Sequence, residues 1–199
     1  INGFNGLLNK QRQEEGEAIL TTVLFDHQVE VLHDRIPVKS VQNITEKEYY
    51  VRGSTSLLDA IGSAIDKIGN VQKMTNEADR ADKVLVVITT DGLENSSRKY
   101  SYKRIKQMIE HQKRKYNWEF IFMGANMDAI EMASQFGIGA DRAVNFHSDK
   151  KGTQLNYESM SKVVSHLRSN QNLDEDLKKK MKKMKKMKRL KKIIKIDNN

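Results

Sequence analysis

Five apolar residues in unbroken succession, Val84 to Ile88, follow Lys83 and run into Thr89-Thr90-Asp91-Gly92. A strand wetted on one face alternates polar with apolar side chains, and this run does not alternate. Neither of its faces expects water. Its β-branched make-up and short length mark it as a central strand of a parallel sheet. That assignment constrains the rest of the chain, because parallel strands are joined only by long crossovers, usually helical. It also places the Asp91 carboxylate at the carboxyl end of a buried strand, where open α/β sheets hold their ligands. Asp91-Gly92 equally reads as a simple turn.

The flanking sequence supplies the required alternation. Phe4, Leu7 and Leu8 share one helical face, and Gly16 stops that helix. Strands follow at Glu17–Phe25 and Val29–Ile36, separated by only Asp26, His27 and Gln28, which is too short for a parallel crossover. They are therefore expected to form an antiparallel hairpin, closed by Pro37. Val38–Arg52 reads as irregular, with at most one short turn. Leu57, Leu58, Ile61, Ala64, Ile65 and Ile68 recur at helical spacing up to Gly69, which is expected to end the helix. Further helices are expected at Tyr102–Tyr116, Asp128–Phe136 and Gln154–Leu167, with strands at Trp118–Met123 and Arg142–Phe146. The fold class is α/β: a doubly wound, mostly parallel sheet with one antiparallel edge hairpin. The first helix follows no strand, so the pattern begins as though one had been removed.

Charge divides the chain in two. Residues 170–199 hold 12 Lys/Arg against 4 Asp/Glu, a net of +8 out of the chain's +9, which leaves +1 for residues 1–169. Residues 1–169 are the expected domain, and 170–199 a basic low-complexity tail, helical or disordered. The near-neutral domain offers no nucleic-acid footprint. Within 177–196, Met181, Met184, Met187 and Leu190 stand three apart, a spacing that drifts around a helix. The tail can meet nucleic acid or an anionic membrane through charge alone, or be solvated without a specific partner. The chain has no cysteine, which excludes disulfides, thiolate metal sites and a cysteine nucleophile. It also fits a reducing, cytoplasmic compartment.

Two strand-end loops carry small oxygen donors. One is Arg52-Gly53-Ser54-Thr55-Ser56, and the other Thr89-Thr90-Asp91-Gly92. The hydroxyls of Ser54–Ser56 are natural caps for the helix that follows. A threonine hydroxyl beside an aspartate also suits a hard cation such as Mg²⁺. Asp59, Glu94 and Asn126 lie close enough in the expected fold to rim such a site, or else serve as turn and loop groups. Gly137-Ile138-Gly139 lacks a third glycine and follows a helix, so it is no dinucleotide fingerprint. His27, His33, His111, His147 and His166 show no ligand spacing.

The Gly-Ser-Thr loop before SLLDAI, the apolar strand ending in Thr90-Asp91-Gly92, the segment FIFMGANMDAI around Gly124 and the hairpin order together resemble a von Willebrand factor type A domain. The likeness covers about residues 1–168 and is greatest to small stand-alone bacterial and phage members. It implies a metal-ion-dependent adhesion site at the carboxyl edge of the sheet. Thr55 and Asp91 would be metal ligands for Mg²⁺ or Mn²⁺, with Gly53, Ser54, Gly92, Asp59, Glu94 and Asn126 around them. An Asp or Glu of a protein ligand would complete the octahedron. Some bacterial relatives serve chaperone-type ATPases. The family's Asp-x-Ser-x-Ser loop is not found here, and residues 1–15 correspond to the helix after it. The expectation is therefore an N-terminally truncated domain, without its first strand, whose metal binding is weak. The competing class is a Mg²⁺-dependent phosphoester or nucleotide enzyme using Asp91. No general base, nucleophile or phosphate-cradling loop is legible beside that residue.

Overall fold

A computed structural model describes residues 1–50, 53–147 and 149–169. The basic tail and Arg52 lie outside these described residues. The helices are α1 (Asn2–Gln13), α2 (Leu57–Met74), α3 (Tyr102–Tyr116), α4 (Ala129–Gln135) and α5 (Lys150–Arg168). The strands are β1 (Ile19–Phe25), β2 (Val29–Pro37), β3 (Leu85–Thr90), β4 (Glu119–Ala125) and β5 (Ala143–Phe146). The α/β class expected from the sequence is the observed one.

β3, β4 and β5 form a parallel sheet in that order, with Val86 opposite Phe120 and Phe122 opposite Ala143. Successive side chains go to opposite faces, and the helices cover both. Ile88, Phe120 and Phe122 join α2, α3 and α4 in one core, which includes Leu57, Ile61, Ile105, Ile109 and Phe136. Ile121 and Met123 join Met160 and Val163 of α5 in the other, with Leu7 of α1 packed against it. This is double winding about β4, whose Phe120, Ile121, Phe122 and Met123 are all 5% exposed or less.

Three expectations need correction. β3 is not central, because it pairs only with β4 among the described residues, and most of its side chains are half-buried. The β1–β2 hairpin forms antiparallel as expected, with Val23 opposite Val31, yet it is a separate two-stranded sheet rather than an edge of the parallel one. It is held by packing instead. Leu20 and Ile36 cover Leu8, Val38 and Val41, and Phe25 reaches the α2–α3 core. Finally, α2 does not stop at Gly69 but continues to Met74. Gly69 lies where the helix passes α3, and a Cβ there would stand 3.2 Å from Nε2 of Gln112. The glycine serves close helix packing, which composition alone does not distinguish from a stop.

Candidate functional site at the carboxyl edge of the strands

Three chain segments converge where β1 and β3 end. The amide of Ser56 donates to the Asp26 carbonyl at 2.6 Å, which ties the end of β1 to the start of α2. The amide of Thr55 donates to Oδ1 of Asn95 at 2.9 Å, and the amide of Asn95 donates back to the Thr55 carbonyl at 3.1 Å. This reciprocal pair clamps the loop before α2 onto the loop after β3. The two loops selected from the sequence are thereby brought together.

Gly92 is what lets them meet. A Cβ built on it would lie 2.6 Å from the Thr55 hydroxyl oxygen, so the absent side chain is the space that hydroxyl uses. Gly53, by contrast, has nothing within 4 Å of a built Cβ, so no close approach needs a glycine there. Asp91, next to Gly92, is exposed, while Thr90 behind it is buried. The Thr90 hydroxyl donates to the Gly92 carbonyl at 2.9 Å and accepts from the Gly92 amide at 3.2 Å, which fixes the turn.

Glu94 and Asp59 hold this arrangement from behind. Ser56 occupies the N-cap position of α2 but makes no side-chain cap bond. Glu94 makes it instead, its Oε2 accepting from the Leu58 amide at 2.9 Å, a favourable place for a carboxylate at a helix amino terminus. Burial disfavours the Glu94 anion. The amides of Ser97, Leu58 and Ser96 and the Ser97 hydroxyl outweigh that effect, and the carboxyl sits below the usual range. Asp59 behaves alike: partial burial opposes its charge, but the amides of Arg98, Lys99 and Tyr100 prevail and lower its pKa. Both carboxylates face loop amides, which makes them fasteners of the 94–100 loop. The hydroxyl cap anticipated from Ser54–Ser56 is thus replaced by a carboxylate from another loop.

Asn126, after β4, has a left-handed backbone (φ 53°) and its amide donates to the Phe146 carbonyl at 3.1 Å, so it shapes the β4–β5 end of the same edge. The Tyr49 phenol is raised by partial burial and then by the Asp91 charge, and burial and then Tyr49 push the Tyr157 phenol up to about 12. Asn95 was hidden in the sequence, since a loop asparagine announces nothing until its partner is known.

Thr55 and Asp91 supply hard oxygen donors, the type Mg²⁺ and Mn²⁺ take, and the space above Gly92 admits the hydroxyl. Among the described residues no three His, Cys, Asp or Glu side chains gather into a metal cage. No described helix is long and apolar enough to cross a membrane. No protein-family model matches the chain, and no curated protein matches it in sequence.

Proposed function

We propose that this chain is a binding module of the von Willebrand factor type A kind. In this reading Thr55 and Asp91 hold a hard divalent cation, Mg²⁺ or Mn²⁺, at the strand edge and present it to an exposed Asp or Glu of a protein partner. The supporting observation is the missing Cβ of Gly92, which brings the Thr55 hydroxyl against the loop that carries Asp91. When bound, the cation supplies a Lewis-acidic bridge to the partner's carboxylate. Thr55 is oriented through its own backbone by Asn95, and Asp91 by the turn that Thr90 closes. Two protein oxygens leave most of the coordination shell to water, so affinity for the cation alone is weak, about millimolar. A chaperone-type ATPase is the partner class the resemblance suggests, and the cytoplasm is the compartment that the cysteine-free sequence suggests.

A Mn²⁺ titration of the full chain, read by water-proton relaxation, tests this reading. The expected result is an enhancement that Asp91→Ala and Thr55→Val each abolish while thermal unfolding stays the same. Identical curves for the parent chain and Asp91→Ala would remove the metal from the proposal.

A further inference from the structure

We propose that the exposed face of α3, with the loop leading into it, docks on double-stranded DNA along the phosphate backbone without reading sequence. The proposal does not depend on the metal.

The first observation is where the domain keeps its charge. Residues 98–116 hold eight Lys/Arg against one acid, Glu110, a net of +7. Residues 1–169 total +1, so the rest of the domain carries −6 and the near-neutral sum hides a basic face. α3 buries Ile105, Met108 and Ile109, while Lys103, Arg104, Lys106 and Arg114 are exposed. Lys103 and Arg114 stand opposite the buried stripe, about 16 Å apart along the helix. Over that length a DNA duplex carries about ten phosphate charges.

The second observation is that the fold gains little from these cations. Positive charge in the first turn of a helix opposes its dipole, and α2 and α4 place Asp59 and Glu131 there. α3 has no acid in its first turn and places Lys103 and Arg104 there, after Arg98 and Lys99. Only its basic last turn, Lys113, Arg114 and Lys115, suits the dipole. Among the described residues none of the eight cations is ion-paired with a carboxylate, whereas Lys67 meets Asp34 at 2.8 Å and Arg142 meets Glu119 at 3.0 Å. Asp59 accepts from the backbone amides of Arg98 and Lys99, which fixes the loop while both residues stay exposed. Glu110 leans instead on the turn at Gly137, where a built Cβ would lie 3.2 Å from its Oε1.

Charge without apolar anchors selects the occupant. A membrane-surface helix inserts an apolar face, and that of α3 is committed to the core, with Ile105 and Ile109 0% exposed. A protein partner is held by apolar anchors among the charges, and of the large apolar side chains on residues 98–116 Tyr116 alone is exposed, at the helix end. Single strands stack on rows of aromatic rings, which this face also lacks. Double-stranded RNA is recognised largely through its 2′-hydroxyls, and α3 exposes few neutral hydrogen-bonding groups beside its cations, chiefly Gln107 and His111. The regular phosphate array of a DNA duplex is the complementary surface.

DNA binding by the full chain tests the proposal, with a short duplex of arbitrary sequence as the probe and salt varied from about 50 to 200 mM. The variant Lys103→Gln/Arg104→Gln/Lys106→Gln/Arg114→Gln should make the slope of log K against log salt shallower by about 3.6, for four lost phosphate contacts. The basic tail is present in both chains and cancels from the difference. An unchanged slope overturns the proposal, as does a parent chain that does not bind. A second readout uses the unsubstituted chain. At about ten times the Kd, the duplex should slow acetylation of Lys103 and Lys106 about tenfold, while the exposed Lys10, Lys39 and Lys47 react as before. Shielding confined to the lysines of the tail overturns the proposal. Tighter binding of the parent to phosphatidylserine vesicles, or to an RNA duplex of the same sequence, assigns the face to that partner and overturns it as well.

Discussion

At the residue scale, the glycines of the two site loops have different jobs. Gly92 must lack a Cβ because the Thr55 hydroxyl lies 2.6 Å from where it would be, and Gly53 has open space. Gly92→Ala should push the two loops apart. The expected cost is about 1–3 kcal/mol from overpacking, together with loss of the Mn²⁺ relaxation enhancement. Gly53→Ala should leave both nearly unchanged, within about 0.5 kcal/mol by denaturant unfolding. Equal effects would mean that the close approach at Gly92 does not organise the site. The sequence exposed the donor types at Thr55 and Asp91, because hydroxyl and carboxylate at strand ends are visible as letters. It did not expose the clamp at Asn95, because that depends on which loops fold against each other. It listed Asp59 and Glu94 as rim groups without showing that their carboxylates face amides.

At the element scale, α2 is started by a group outside itself. Glu94 caps the Leu58 amide from the loop after β3, so forming the helix and closing the site are one event. Glu94→Gln keeps the shape but loses the charge, and should cost about 1 kcal/mol. Acid should do the same to the parent chain. Glu94 and Asp59 have folded-state pKa values below their ordinary 4.5 and 3.8, so the unfolded chain binds more protons in that range. Stability from these groups is present above pH 4.5 and is lost as pH falls through 4.5 and 3.8 toward the lower folded values. The double variant Asp59→Asn/Glu94→Gln should show a flatter stability profile across that window, measured by urea midpoints. An unchanged slope would mean the amides around the two carboxylates do not favour their charged forms. Most elements were legible because apolar spacing distinguishes 3.6 from 2. The end of α2 was not, because Gly69 answers to Gln112 on a different helix.

At the scale of the whole molecule, the sequence of β3 and its position disagree, and that disagreement governs how the fold should come apart. Its apolar run matches a strand flanked on both sides, while hydrogen bonding gives it one neighbour among the described residues. Periodicity reports what a strand can bury and not which partner arrives, so the sheet's interruption could not be read from residues 83–92 alone. Among the described residues the hairpin is joined to the rest through α1, α2 and the Ser56–Asp26 bond, not through a shared ladder. The core around β4 contains Phe120, Phe122, Phe136 and Trp118, whereas the hairpin core has three buried residues, Leu8, Val38 and Val41. Opening free energies follow buried apolar contact, so the two sheets should not exchange together. Native-state hydrogen exchange in low denaturant should show β4 amides exchanging only by global unfolding. The β1–β2 amides should exchange through an earlier opening. Leu8→Ala should lower that earlier opening by about 2–4 kcal/mol while changing the β4 amides less. If β1 and β4 amides instead exchange with one common free energy, the α1 and α2 layers alone couple the sheets into a single cooperative unit.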